Sequence, residues 1–369
     1  MKRYRAGAVR FLEAAWNDSL ALFSYSTTLV KGAYVQDFAH PSVVRYTVNS
    51  LLGLQKAKQH RTDGDPFIGA TDWLFERFLS VHGTELPSYG DTGLLTVALS
   101  ERGDASAERT VKRLAAAVID GKVEQLTLQD ASWMLWGLCA AARMGVTGSE
   151  TAARSLFRVL HRRFLHHDSL LGRHSANPLR SHVVSFGATA YWLRALYEYA
   201  FTFDDEYVDA LFRYGAGRVI QIQGPLGQWP WMIGVASAQP VDPYPVFSVH
   251  QDSMSMLFLL PALERGVDGV EAAIDMSLAW LSGRNELELD MVVPEPFFVY
   301  RSFERNEHLD KARRYARSLW RRGGRRTSGY SGQDGLRVNS ECRSYQFGWV
   351  LYVWSGRSNL PDVDALRDP

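Results

Sequence analysis

Two short stretches hold the densest set of reactive side chains: Gly227-Gln228-Trp229-Pro230-Trp231-Met232 and Tyr244-Pro245-Val246-Phe247-Ser248-Val249-His250-Gln251-Asp252. His250 and Asp252 bracket Gln251, a spacing suited to a base or acid with a second proton carrier beside it. Tyr244 is a further candidate base. The indoles of Trp229 and Trp231 offer flat faces for a sugar ring or a cation. A plainer reading stands beside this one. Asp252 caps the apolar helix that follows, His250 is an ordinary loop residue, and the tryptophans form a hydrophobic lid.

A second cluster, Glu341-Cys342-Arg343-Ser344-Tyr345, precedes the last apolar run. Glu341 and Arg343 could hold a substrate carboxylate or hydroxyl, or pair with each other. Glu341 with Asp252 or Asp91 would form the carboxylate pair of a glycoside hydrolase, whose separation sets inversion or retention. Elimination or epimerisation would instead need a base such as His250, Tyr244 or Tyr345, with an arginine on the developing enolate. Arg45, Tyr46, Tyr89, Asp91, Asp130, Arg173, His174, His182 and Arg301 complete the polar set. Arg173 and His174 could belong to a loop entering the mouth, but surface exposure is the better reading of that pair. The many arginines suit an anionic ligand, a uronate or a phosphate, because guanidinium binds such oxygens in pairs. No cofactor is called for, and a divalent metal beside the carboxylates is left open.

These residues need a frame, and the pattern is helical throughout. Strongly apolar runs rich in small residues begin near Ser42, Asp91, Asp130, Ser185, Asp252 and Tyr345. Amphipathic runs alternate with them: Thr71–His82, Ala107–Ile119, Ser149–Leu165, Asp204–Ile220, Asp268–Leu281 and Glu307–Arg322, with Thr71, Ser149 and Asp204 as capping residues. Six of each in alternation predict an all-α (α/α)6 toroid, a closed ring of six helical hairpins with the apolar set inside. A β-hairpin or ordered loop is inserted around 221–247, and 285–300 and 323–340 read as non-helical. Nothing marks an internal boundary, so 1–369 reads as one domain. Loops at the inner-helix N-termini converge on one mouth, where a rigid frame carries function on its loops.

With the residues in this order, the chain resembles (α/α)6 toroid enzymes: six-hairpin glycosidases and glucuronyl epimerase-like proteins of bacterial exopolysaccharide loci. The likeness rests on Gly227, Trp229 and Pro230, then Phe247, Ser248 and Gln251. The resemblance implies a carbohydrate-active enzyme working on an anionic or uronate-containing glycan by hydrolysis, elimination or epimerisation. A weaker likeness is to terpenoid-cyclase toroids, echoed once in Gln223-Gly224-Pro225-Leu226-Gly227-Gln228-Trp229; the Asp-x-Asp-Asp motif of those enzymes is missing. A non-catalytic glycan- or protein-binding toroid is the third reading.

The bulk composition narrows the partners. The 369 residues are 46% apolar and 22% charged, a globular balance, and the formal net charge of +1 gives no global field toward nucleic acid. The basic run from Lys311 to Arg326 reads as the solvated face of an outer helix. Two cysteines, Cys139 and Cys342, have no zinc-ligand company. The basic start is soon followed by Glu13, Asn17 and Asp18, which does not read as a signal peptide, and no apolar run is long enough to span a membrane. The expectation is a cytoplasmic protein with an oligosaccharide or small-molecule substrate and no nucleic-acid partner; its oligomeric state is left open.

Overall fold

The structure, a computed structural model, describes residues 1–60, 64–178, 181–305 and 335–357. Among the described residues, twelve helices alternate in two concentric layers. The outer members are α1 (Lys2–Ala15), α4 (Thr71–His82), α6 (Ala107–Ile119), α8 (Ser149–Arg163), α10 (Glu206–Ile220) and α12 (Val270–Leu281). The inner members are α2 (Val43–Gln59), α5 (Tyr89–Arg102), α7 (Leu128–Arg143), α9 (Phe186–Phe203), α11 (Met256–Glu264) and α13 (Ser344–Trp354), with a single turn, α3 (Pro66–Gly69), between α2 and α4. Each inner helix packs on the next, and α11 meets α13 and α13 meets α2, so the ring closes.

The layering follows from composition. Inner helices such as α7 and α13 are buried along nearly their whole length, as helices that are apolar all round must be. The outer helices bury one stripe: α6 buries Val111, Leu114 and Ala117 and exposes its charges. Close inner packing depends on glycine. A Cβ on Gly93 of α5 would come within 2.6 Å of the Trp133 and Met134 backbone of α7, and one on Gly137 within 2.3 Å of the Gly93 carbonyl. That crossing brings the first turns of α5 and α7 together.

The expected toroid is what is observed, with one exchange of parts. The outer partner of α13 is α1, which the helical alternation above did not count. The run Glu307–Arg322 assigned to that place, and the basic stretch Lys311 to Arg326, lie outside the described residues. The caps also differ. Asp205, not Asp204, caps α10 by accepting from Val208 N at 3.1 Å. Thr71 and Ser149 open their helices without capping them; their hydroxyls donate to the carbonyls of Ile68 and Val146. Side-chain caps also open three inner helices: Ser88 on α5, Thr127 on α7 and Ser185 on α9.

Small sheets surround the inner-helix N-termini. Residues 232–234 and 239–242 form the expected hairpin and are joined by Val183–Ser185. Val246–Phe247 pairs with Ser302–Arg305, which pairs with Leu336–Asn339. Ser26–Val30 pairs with Ala33–Asp37 and Glu341–Cys342. Each strand set delivers the chain into an inner helix, so the sheets form the rim of the mouth.

Candidate functional site

Two carboxylates stand at the same place on neighbouring inner helices. Asp91 and Asp130 are each the third residue of their helix, three positions after the cap, where a carboxylate faces the partial positive charge of free backbone N–H groups. Thr127 completes the arrangement by donating to Asp130 Oδ2 at 2.7 Å. Gly90 leaves the room: a Cβ there would lie 2.4 Å from Asp130 Oδ1.

Arg45, in the first turn of α2, joins the two. Its Nε donates to Asp91 Oδ1 at 2.6 Å and its Nη2 to Asp130 Oδ1 at 3.4 Å, while the guanidinium lies 5.0 Å from the Trp133 ring centre. Burial pushes the Asp91 carboxyl above the usual carboxylate range; Arg45 pulls it down and the neighbouring Asp130 pushes it up.

The opposite wall carries two more arginines. Arg301 Nη1 and Arg343 Nη2 both donate to Glu341 Oε2, at 2.9 and 2.6 Å. Arg343 lies 3.9 Å from the Tyr25 ring centre and Arg301 5.4 Å from that of Phe247. The Nε–H of each arginine is buried without a hydrogen-bond partner among the described residues. Tyr46 stacks on Tyr25 and meets Tyr345 at 4.4 Å between ring centres. Both phenols face the Arg301 and Arg343 charges, yet burial raises their pKa values. Tyr191, Trp133 and Trp349 form the floor, with Trp349 Nε1 donating to Tyr191 Oη at 2.9 Å.

The structure therefore brings Arg45, Tyr46, Asp91, Asp130, Arg301, Glu341, Arg343 and Tyr345 together. Arg173 and His174 reach the same end, because the His174 carbonyl accepts from Leu128 N at the start of α7. The carbonyl of His182 accepts from Val235 N, which places it in the rim. Tyr89, the first residue of α5, is half-buried beneath the Arg113 guanidinium.

The opening motif is placed differently from what its spacing suggests. Asp252 is wholly buried, away from the arginines, in a π-helical turn at His250–Met254. Tyr4 Oη and Gln346 Nε2 donate to its Oδ2, both at 2.6 Å, and Ser253 Oγ donates to its Oδ1 at 2.6 Å. It caps no helix; it ties the turn to α1 and α13. Burial raises its pKa to about 6. His250 is also buried, packed against Phe186, Phe247 and the half-buried Trp231, and burial lowers its pKa to about 3.

Trp229 is fully buried between the layers, stacked on Phe186, with its Nε1 donating to Ser277 of α12 at 2.9 Å. Tyr244 is buried too, its Oη donating to Glu286 at 3.2 Å. Of the candidate side chains Trp229, Trp231, Tyr244, His250 and Asp252, Trp231 is the one that stays partly open, at the rim. The pairing of Asp91 with Asp130 has a sequence signal that the motif reading passed over: Ser88-x-x-Asp91 and Thr127-x-x-Asp130, each opening an apolar helix. Among the described residues no group of three or more His, Cys, Asp or Glu is placed to hold a metal, and no helix is long and apolar enough to cross a membrane.

No protein-family model and no curated protein matches the chain. Solved structures do match over most of its length. A possible GH105 family member from Salmonella enterica serovar Paratyphi A superimposes with a TM-score of 0.62 at 10% identity, covering 99% of this chain and 93% of that one. An unsaturated glucuronyl hydrolase from Streptococcus agalactiae gives 0.55 at 12% identity, over 95% and 89%. An α-1,6-mannanase of Salegentibacter sp. HEL1_6 gives 0.55 at 10%, over 95% and 97%. At these identities the likeness is one of architecture, and the chain has the (α/α)6 toroid fold found in these glycoside hydrolases.

Proposed function

We propose that this protein hydrolyses an acidic, uronate-bearing glycan at the mouth of the toroid by general acid–base catalysis between Asp91 and Asp130. The observation that carries this reading is the pair itself: two carboxylates on adjacent helix N-termini, sharing one guanidinium. Asp91, pushed up by burial and by its neighbour, is the general acid; its proton goes to the glycosidic oxygen as the bond to the anomeric carbon breaks. Asp130, hydrogen-bonded by Thr127 and Arg45, is the base that takes a proton from the attacking water. Arg301 and Arg343, now sharing Glu341, supply donors for a substrate carboxylate.

The other candidates suit proton transfer less well. His250 is held neutral in an apolar setting, Asp252 is enclosed by three donors, and Tyr244 is bonded to Glu286. The raised pKa values of Tyr46 and Tyr345 disfavour a phenolate base, and with it elimination or epimerisation. The charged lining also speaks against a terpenoid cyclase, since carbocations need a dry aromatic cavity. The fold neighbours support a glycan substrate: an α-1,6-mannanase and unsaturated glucuronyl hydrolases are among them.

The test is incubation with matched uronate-containing and neutral oligosaccharides, with new reducing ends measured by chromatography. Cleavage of the uronate-containing set alone is expected. Binding of acidic glycans with no cleavage would overturn hydrolysis and favour a non-catalytic toroid.

A further inference from the structure

The far end of the ring holds a second feature. Where α2, α9, α11 and α13 reach their C-terminal halves, a cavity of about 340 Å³ opens, at the small end of the range for ligand pockets. Met256, Leu260, Pro261 and Val353 form an apolar wall, and the rings of Tyr197 and Tyr352 stand opposite polar groups from Lys56, Arg194, Ser355 and Arg357.

The cations are not equally committed. Arg194 is paired with Glu198, and Arg357 with Glu264 at 3.0 Å. Lys56 forms no ion pair among the described residues; its ammonium lies 5.7 Å from the Tyr352 ring centre. Glu101, behind Tyr352, feels its charge but lies beyond ion-pair distance.

Cations at the C-terminal end of a helix are ordinary, because they oppose the helix dipole. That accounts for the presence of Lys56. It does not account for an ammonium with no ion-pair partner among the described residues standing on a cavity wall beside a second cation, Arg194. The cavity offers donors beside an apolar and aromatic wall, and Glu264, the one carboxylate lining it among the described residues, is already bound to Arg357. We propose that this basal cavity is a second binding site, for a small organic anion: a carboxylate carried on a ring of monosaccharide size. The carboxylate sits between Lys56 and Arg194, and the ring lies against Tyr197 and Tyr352. The site is separate from the mouth and does not rest on the hydrolytic reading.

Met256 lines the cavity and reports on it directly. The full chain, labelled with ¹³C at the methionine methyls, is titrated by NMR with sodium D-glucuronate, glucose or inorganic phosphate, and the Met256 signal is assigned with Met256→Leu. Glucuronate shifts that signal saturably. Glucose does not, and phosphate needs a higher concentration. Lys56→Gln raises the midpoint about tenfold, in line with loss of a hydrogen bond to a charged group. Lys56→Arg stays within threefold of the parent, so a retained charge rescues binding. A silent Met256 signal, an unchanged midpoint in Lys56→Gln, or phosphate binding as tightly as glucuronate would each overturn the proposal. Asp91→Asn leaves this titration unchanged, so a failure at the mouth and a failure at the base are read separately.

Discussion

Asp252 and the pair Asp91–Asp130 are all acidic residues near the start of inner helices, yet they live in opposite surroundings. Asp252 is sealed between α13 and α1 by a tyrosine, a serine and a glutamine, with no cation among its hydrogen-bond partners in the described residues. Asp91 and Asp130 face the mouth and share an arginine. The first holds layers together; the second stands at the mouth against a shared guanidinium. The difference comes from backbone phase. The π turn at His250–Met254 interrupts the ordinary helical rotation, so Asp252 enters the layer between the rings. Asp91 and Asp130 follow regular caps and point into the mouth.

Breaking each side separately gives the sharpest contrast. The largest effect is expected from Asp91→Asn and Asp130→Asn, each lowering kcat about 10²–10⁴-fold, the usual worth of a general acid or base. Steady-state kinetics on an acidic oligosaccharide check this, with thermal unfolding as the control for folding.

Next comes the pH dependence of stability at Asp252. Burial raises its pKa from the ordinary 3.8 to about 6, so the folded state keeps its proton longer than the unfolded chain. Its contribution is therefore fully present below about pH 4 and is lost as pH rises through about 6, by about 3 kcal/mol. Asp252→Asn lacks this titration. Urea unfolding at pH 4 and pH 7 should show the variant gaining on the parent by that amount at the higher pH. A constant difference between the two would contradict the buried, cation-free carboxyl.

At the mouth's opposite wall, Arg343→Met is expected to raise KM for an acidic substrate about tenfold or more while changing kcat less, as for loss of a hydrogen bond to a charged group. The smallest effect separates the two tryptophans. Trp229→Phe loses the Ser277 hydrogen bond and about 1 kcal/mol of stability with KM unchanged, whereas Trp231→Phe changes KM with little effect on unfolding.

Much of the ring was legible because its inner helices carry nearly unbroken apolar runs and its outer helices a single stripe. α1 escaped notice because its stripe of Val9, Phe11 and Leu12 is short and follows a basic start. Mouth residues such as Arg45, Asp91, Arg301 and Arg343 were legible for a geometric reason: each lies at or just before an inner-helix N-terminus or in the rim. The Trp229–Asp252 stretch was not. Reactive types in close sequence suggested a site, but periodicity carries no sign of a π turn, and Trp229 and Tyr244 found buried acceptors in Ser277 and Glu286. The pairing of Asp91 with Asp130 depends on a glycine-lined helix crossing that spans 39 residues of sequence.

The most direct test of the central claim is a crystal structure of Asp91→Asn soaked with a uronate-containing oligosaccharide. The account predicts the glycan in the mouth, with its carboxylate on Arg301 and Arg343 and a glycosidic oxygen within hydrogen-bond reach of residue 91. A glycan bound away from Asp91 and Asp130, or seated against His250 with its carboxylate far from both arginines, would contradict it.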